Sequence, residues 1–149
     1  MSWNDLRKGR FSQPNREYFI TFTTYQRTPL FGDYLAANCF CRLLSLNEAK
    51  TRANWLTWVL MPDHFHGLLK VHENTGLSSI IQDLKGRSGN AINKILGLKG
   101  ACWQPAYFDR ALRCDQDRLA IARYIISNPL RAKLVESIRD YPYWNSIYL

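Results

Sequence analysis

The chain of 149 residues fits one domain spanning residues 1–149, and its 46% of hydrophobic residues can fill a single core. Charged residues make up 21%, a share too ordinary for a disordered chain. The sequence contains neither the ~20 consecutive apolar residues of a membrane helix nor the apolar segment of a signal peptide. We therefore expect a cytoplasmic protein with no membrane partner. Twenty basic residues against twelve acidic ones give a net charge of +8, which favours a polyanionic partner.

Seven predicted elements follow a polar arm at residues 1–15. β-branched and aromatic residues indicate the strands, and apolar residues three and four apart indicate the helices. In chain order the patterns predict strand 17–25, helix 34–52, strands 54–61 and 64–72, helix 77–96, strand 107–112, and a helix from Asp115 or Asp117 to Asn128. The first six elements match the ferredoxin-like pattern, an α+β fold with an antiparallel sheet and helices on one face. The last helix and the tail 130–149 are additions to that fold.

The first two helices each have a predicted core face. Asp33 can cap the first helix, whose predicted core face consists of Leu35, Cys39, Leu43 and Leu46. In the second, the inward residues are predicted to be Ile80, Ile81, Leu84, Ile92, Ile95 and Leu96. Gly86 and Gly89 weaken the middle of this second helix and predict a kink or break there.

Two histidines in the third predicted strand are candidate metal ligands. Side chains two residues apart leave the same face of a strand, so His64 and His66 point together, while Phe65 points the other way into apolar packing. Neutral imidazoles bind divalent ions, but two ligands are too few for a tight site, so a third group must come from elsewhere. Two half-buried structural histidines are the alternative explanation of this pattern.

The last predicted helix offers a third group. Tyr124 and Asn128 are four residues apart and therefore neighbours on one helix face, where they would present a hydroxyl and an amide oxygen together. A core tyrosine and a helix-terminal asparagine before Pro129 would explain the same pair without any chemistry.

Basic residues interleaved with aromatic ones favour a single-stranded nucleic acid as the polyanion. Such strands are bound by cations at the phosphates and by rings that stack on unpaired bases. We predict DNA contacts for Arg7, Lys8, Arg10, Arg16, Arg27, Lys85, Arg87, Arg131 and Lys133. For the basic residues of the second helix, a solvated helix face is the alternative.

Four segments in sequence resemble the HUH single-tyrosine transposases of bacteria, and more closely their subgroup associated with repetitive extragenic palindromes (REP). The segments are EYFITFTTYQRTPLF, MPDHFHGLL, WQPAYFDRALR and ARYIISNPLRAKLV. The family pattern is His, hydrophobic residue, His, and then a helix with Tyr-x-x-x-Asn or Tyr-x-x-x-Gln. In this chain those positions are His64, Phe65, His66, Tyr124 and Asn128.

This resemblance implies cleavage of single-stranded DNA beside a hairpin. Tyr124 would be the nucleophile that forms a 5′-phosphotyrosine intermediate, and His64, His66 and Asn128 would hold Mg²⁺ or Mn²⁺. The partner would be a REP-like DNA hairpin, bound by a monomer or a homodimer. Relatives often have a histidine where this chain has Arg110, so a catalytic role at that position lacks support.

Two other functions are alternatives. A non-catalytic protein that binds single-stranded or hairpin nucleic acid would have the same charge, and the element order also suits an RNA-recognition motif, although its Lys/Arg-Gly-Phe-type strand is absent. A zinc hydrolase acting through water would need a third strong ligand and a carboxylate base, and Asp63 and Glu73 are the only acids near the histidines.

Overall fold

The computed structural model describes residues 16–72 and 75–149. The strands are β1 Arg16–Thr23, β2 Asn54–Met61, β3 His64–Val71, β4 Phe108–Ala111 and β5 Trp144–Ser146. The helices are α1 Tyr34–Thr51, α2 Leu77–Leu96, α3 Arg118–Ile126 and the short α4 Asn128–Arg131. The predicted DNA contacts of Arg7, Lys8 and Arg10 fall outside the described residues.

The strands form one antiparallel sheet in the order β4-β1-β3-β2-β5. Its first four strands have the ferredoxin-like arrangement that the sequence predicted, and β5 extends the sheet at the β2 edge. β2 and α2 begin and end at the predicted residues. β2 and β3, predicted as consecutive strands, pair as a hairpin whose two-residue turn is formed by Pro62 and Asp63.

The main core lies between the sheet and the pair α1 and α2. Phe22, Phe40 and Phe65 are fully buried there, and the Phe65 ring lies 5.0 Å from Phe22 and 5.2 Å from Phe40.

A buried amide joins both helices and the sheet in this core. Asn47 in α1 donates to the Ile80 carbonyl of α2 at 3.0 Å and to Asp83 Oδ2 of α2 at 2.9 Å. Its Oδ1 accepts the indole N–H of Trp55 in β2 at 3.0 Å. All the hydrogen-bonding groups of the amide are therefore used inside the protein.

The buried face of α1 differs from the prediction. Leu35 and Leu46 were expected to point inward but are 62% and 49% exposed. The buried residues of the helix are Ala36, Ala37, Phe40, Leu44 and Asn47. A rotation of about one residue around the axis separates the two faces. The observed face buries the whole Phe40 ring, whereas the predicted one has no aromatic residue to fill the core.

The second helix is continuous, so the predicted break at Gly86 or Gly89 is wrong. A Cβ at position 89 would meet the Cys102 side chain at 3.5 Å, so this glycine lies where the 100–107 loop packs against the helix. Ile95, predicted to point inward, is 41% exposed, whereas Leu96, in the same turn, is half-buried and packs against the core.

The opposite face of the sheet is covered by α3 and the tail. A second buried cluster forms there, in which Ile125 and Ile126 of α3 pack with Val59 of β2 and Leu68 of β3. The tail packs on the same side through Tyr141, whose hydroxyl donates to the Leu60 carbonyl. In the described part of the chain, no helix combines the length and the apolar character needed to cross a membrane.

Candidate functional site

The histidine pair lies on the sheet face that α3 covers. In the antiparallel register, His64 is opposite Thr23 and His66 is opposite Thr21. Phe65, between them, is fully buried in the main core on the other face. The predicted orientation of these three side chains is confirmed.

Each imidazole is held through its Nδ1 atom. Thr21 Oγ1 lies 2.8 Å from the His66 Nδ1, and Asp63 Oδ1 lies 2.7 Å from the His64 Nδ1. The two ring centroids are only 4.7 Å apart. With both Nδ1 atoms engaged, the Nε2 atoms are the nitrogens left to bind a ligand, and partners of this kind fix the tautomer of a metal-binding histidine.

The surroundings of His66 keep its ring in a state suited to metal binding. Burial, together with the smaller effects of the neighbouring charges of His64, Arg131 and Arg27, lowers the pKa of His66 from 6.5 to about 3. The ring is therefore neutral at physiological pH, as a ligand must be. Burial alone would raise the pKa of Asp63, but the hydrogen bond and charge of His64 and the charge of Arg27 outweigh it and lower that pKa.

Arg27 reaches this cluster from a strained turn. Gln26 and Arg27 both have left-handed backbones, with φ of 56° and 57°, a conformation that costs a non-glycine residue about 1–2 kcal/mol. The buried Thr24 stabilises the turn, since its hydroxyl donates to the Thr28 carbonyl at 2.7 Å. In this turn, the Arg27 Nε atom lies 3.1 Å from Asp63 Oδ2. Strain of this kind is concentrated at functional sites.

Tyr124 lies on α3, the helix that packs against β2 and β3. Asp117 caps the helix by accepting from the Ala120 amide at 3.1 Å, and Ile125 anchors the inner face. Tyr124 is 54% exposed, so it is not a core aromatic. The Arg131 guanidinium stacks 4.1 Å from the centroid of its ring, an arrangement that stabilises the ring orientation.

Two residues connect Tyr124 with the histidines. Arg131 contacts the tyrosine ring and lies close enough to His66 to lower its pKa. Phe19 of β1 lies 5.9 Å from the His66 ring and lines a pocket together with Tyr124. The structure thus brings the predicted nucleophile and the predicted metal ligands to one side of the sheet.

Asn128 begins α4 instead of ending α3, which stops at Ile126. Its side-chain N–H donates to the Ile125 carbonyl at 2.8 Å, so its Oδ1 is the atom that could face a metal ion. Among residues 16–72 and 75–149, no group of three His, Cys, Asp or Glu side chains could hold a metal ion. Two imidazoles and an amide oxygen could provide part of the shell of a divalent ion, with water or phosphate oxygens at the other positions.

Known proteins are similar to this chain in sequence and in fold. Residues 12–128 match the protein family described as "Transposase IS200 like". The chain belongs to the IS200-like transposase family. The chain is 30% identical over 87 residues to the REP-associated tyrosine transposase of Escherichia coli (strain K12). That match covers 58% of the chain and 50% of the relative, so the chain spans about half the length of this curated protein.

Two solved structures share the fold of this chain. One is a REP-associated tyrosine transposase bound to a REP hairpin, with a TM-score of 0.74 and 21% identity over 91% of this chain and 79% of that one. The other is a putative transposase of Deinococcus radiodurans R1, with a TM-score of 0.58 and 22% identity over 78% of this chain and 93% of that one. The family resemblance and the fold predicted from the sequence are therefore confirmed.

The other predicted DNA contacts are spread over the fold. Arg16 and Lys133 are exposed, at the start of β1 and just after α4. Lys85 and Arg87 lie on α2, in the layer across the sheet from the histidines. There the Lys85 ammonium donates to the Gln104 carbonyl at 2.6 Å, and the Arg87 Nε lies 2.9 Å from Asp83 Oδ1. Of the predicted contacts that the structure describes, Arg27 and Arg131 lie at the site.

Sequence reasoning missed the roles of Thr21 and Asp63 beside the histidines. Asp63 was considered only as an acid for an alternative hydrolase, although it directly precedes His64. Thr21 is distant in sequence and meets His66 only through the β1–β3 register. The alternation of threonine with aromatic residues in β1 was the available sign of a polar face.

Proposed function

We propose that this chain cuts and rejoins single-stranded DNA beside a hairpin, with Tyr124 as the nucleophile. The observation that carries the proposal is the placement of the Tyr124 helix on the same sheet face as His64 and His66, in a member of a transposase family. The exposed position of the Tyr124 ring allows a DNA strand to reach its hydroxyl.

In the proposed reaction, the Tyr124 oxygen attacks the phosphorus in line with the bond to the 3′ oxygen. The O–P bond to tyrosine forms as the P–O3′ bond breaks. The phenolic proton passes to solvent, and the released oxygen takes up a proton to become a 3′-hydroxyl. The 5′ phosphate remains on Tyr124. Attack by a 3′-hydroxyl on this phosphotyrosine reverses the steps and joins strands, so no external energy source is needed.

His64, His66 and Asn128 are the residues that we propose for binding Mg²⁺ or Mn²⁺. A divalent ion at this position would neutralise the phosphate charge and polarise its P–O bonds. Thr21 and Asp63 support the proposal, since they hold the Nδ1 atoms and leave each Nε2 for a ligand. Arg131 orients the attacking ring by stacking on it at 4.1 Å.

The proposed DNA partner is a hairpin of REP-like palindromes with an adjoining single strand. The similar protein of Escherichia coli is named as REP-associated, and the solved structure with the same fold is bound to a REP hairpin. The net charge of +8 suits a polyphosphate, and Arg27 and Arg131 add positive charge at the site. A monomer or a homodimer would serve this chemistry.

The decisive experiment is the replacement Tyr124→Phe, which keeps the ring and removes the hydroxyl. The substrate is an oligonucleotide with a hairpin from palindromes that flank the gene, labelled at its 3′ end. The wild-type protein is expected to carry the label through a denaturing gel as a protease-sensitive adduct. Tyr124→Phe should form no adduct and release no 3′-hydroxyl fragment, while its hairpin affinity and thermal stability stay unchanged.

Tyr34→Phe is the matched control, because Tyr34 is 68% exposed but lies on α1, across the sheet. It should form the adduct at the wild-type rate. An adduct that persists in Tyr124→Phe would identify another nucleophile. Hairpin binding by the wild type without any adduct, at every divalent ion tested, would favour the non-catalytic hairpin-binding function instead.

A further inference from the structure

A pocket of about 420 Å³ lies between α3 and the β4 edge of the sheet. Its lining residues are Phe19, Phe108, Arg110, Ala120, Ile121 and Tyr124. The volume falls within the range of roughly 300–1,000 Å³ that is usual for small-molecule sites. A larger cavity of about 730 Å³ lies in the other layer, between α2 and the 100–107 loop, and contains neither Tyr124 nor a histidine. The smaller pocket is the one that adjoins the proposed chemistry.

The sheet register relates this pocket to the histidine pair. Phe108 of β4 is opposite Thr21 of β1, and Thr21 is opposite His66 of β3, so the three side chains form one cross-strand row on the α3 face. Two strand spacings, about 9–10 Å, separate the two ends of this row. The next row contains Arg110 and Phe19, with the guanidinium 5.9 Å from the centroid of the ring. A group that fills the pocket therefore lies beside Tyr124 and a short distance from the histidines.

The chemistry of the lining favours a flat, uncharged, π-rich group. Three of its six residues are aromatic, and Phe108 is 40% exposed at the sheet edge. The single cation, Arg110, offers a planar guanidinium that can stack on a ring or pair with a phosphate next to it. Unpaired nucleobases are bound by this combination of aromatic rings and arginine. A phosphate alone would not use the aromatic walls.

We propose that this pocket holds one unpaired nucleobase of the DNA strand, next to the phosphate that Tyr124 attacks. The proposal rests on the proposed function and adds a base-binding subsite to it. Phe108 provides the stacking surface, and Arg110 lies over the neighbouring ring of Phe19. This gives Arg110 a binding role next to the pocket's aromatic rings. Docking of the base would fix the strand against Tyr124 before the reaction.

The test uses oligothymidylate that carries a single 2-aminopurine, whose fluorescence is quenched when the base stacks on an aromatic ring. The wild-type protein is expected to quench it on binding. Phe108→Ala should abolish most of the quench and weaken binding by on the order of tenfold, which is typical of the loss of one stacked base. Phe108→Tyr keeps a ring and should restore both. Tyr34→Ala removes an exposed ring from α1 and should behave as wild type.

The outcome separates this inference from the proposed function, because quenching requires no chemistry. A quench that is absent in the wild type, or that survives in Phe108→Ala, would overturn the base-binding subsite even if the protein forms the tyrosine adduct. Quenching that depends on Phe108 in a protein without adduct formation would support the subsite and contradict the proposed cleavage. Circular dichroism of Phe108→Ala checks its fold, which should be intact because the side chain lies at an exposed edge.

Discussion

Replacement of Thr21 by valine should weaken metal binding without touching a metal ligand. Thr21 Oγ1 lies 2.8 Å from the His66 Nδ1. For Nε2 to offer its lone pair to a metal ion, Nδ1 must carry the proton and Oγ1 must accept it. Valine has nearly the shape of threonine but accepts no hydrogen bond. In Thr21→Val the metal-bound state therefore contains a half-buried N–H group without a partner, whereas the metal-free ring can move its proton to Nε2.

The expected size of this effect follows from the cost of that N–H group. A buried donor without a partner costs about 1–3 kcal/mol. Because the cost arises only when the metal binds, it converts to an affinity about 5- to 150-fold weaker. The assay is DNA cleavage as a function of Mn²⁺ concentration. The half-saturating concentration should rise by this factor, while the rate at saturating Mn²⁺ changes little.

Thr21→Ser is the control, since serine keeps the hydroxyl and should give a curve close to that of the wild type. Direct titration of Mn²⁺ by electron paramagnetic resonance should show the same shift without any cleavage. Superimposable metal curves for Thr21→Val and the wild type would mean that the threonine does not set the tautomer of His66. A lower rate at saturating Mn²⁺ with an unchanged half-saturating concentration would mean that Thr21 affects the DNA strand and not the metal ion.

Three further predictions concern stability and binding. Gly67→Ala should destabilise the protein by about 1–3 kcal/mol in urea unfolding, because its Cβ would lie 2.7 Å from the Trp55 ring, whereas Gly86→Ala, with nothing within 4 Å, should stabilise it by about 0.5–1 kcal/mol. Equal unfolding midpoints for these two variants would contradict both. In EDTA, the free energy of unfolding of the wild type should fall by about 2 kcal/mol between pH 7 and pH 5. The pKa of His66 is about 3 in the folded protein and 6.5 in the unfolded chain, so the unfolded chain takes up the proton as the pH falls. In His66→Gln most of this pH dependence should be absent. Equal pH profiles of stability for this variant and the wild type would show that His66 is not its source. Affinity for a single strand should fall with salt, with a log–log slope of about −0.7 for each phosphate contacted, and a flat response would exclude the electrostatic contribution.

Local geometry explains which parts of the fold were predictable from the sequence. The common face of His64 and His66 depends only on the two-residue period of a strand, so it needs no tertiary information. The bounds of β2 were also predictable from local sequence, because the strand lies between the end of α1 and the turn at Pro62. The helix α1 was harder, because both of its faces contain apolar residues. Only packing against the sheet selects the face with Phe40.

The remaining features depend on contacts between distant segments. The three residues of β5 become a strand because they pair with β2, and nothing in their own sequence requires it. The partner of His66 was missed for the same reason, since Thr21 meets it only through strand register. The pocket beside Tyr124 combines residues of β1, β4 and α3. Such combinations follow from the fold as a whole and not from any one segment.

The two halves of the candidate site assemble from contacts of very different sequence separation. The histidines and Asp63 belong to one hairpin with a two-residue turn, and hairpins of this kind form within microseconds. Tyr124 is connected to that hairpin through α2, β4 and the loop before α3, so its approach to the same sheet face requires much longer loop closures. The two imidazoles therefore come together through local contacts, whereas their position next to Tyr124 depends on the whole fold. The hairpin alone would offer two of the proposed metal ligands, without Asn128, without the Thr21 partner of His66 and without the proposed nucleophile.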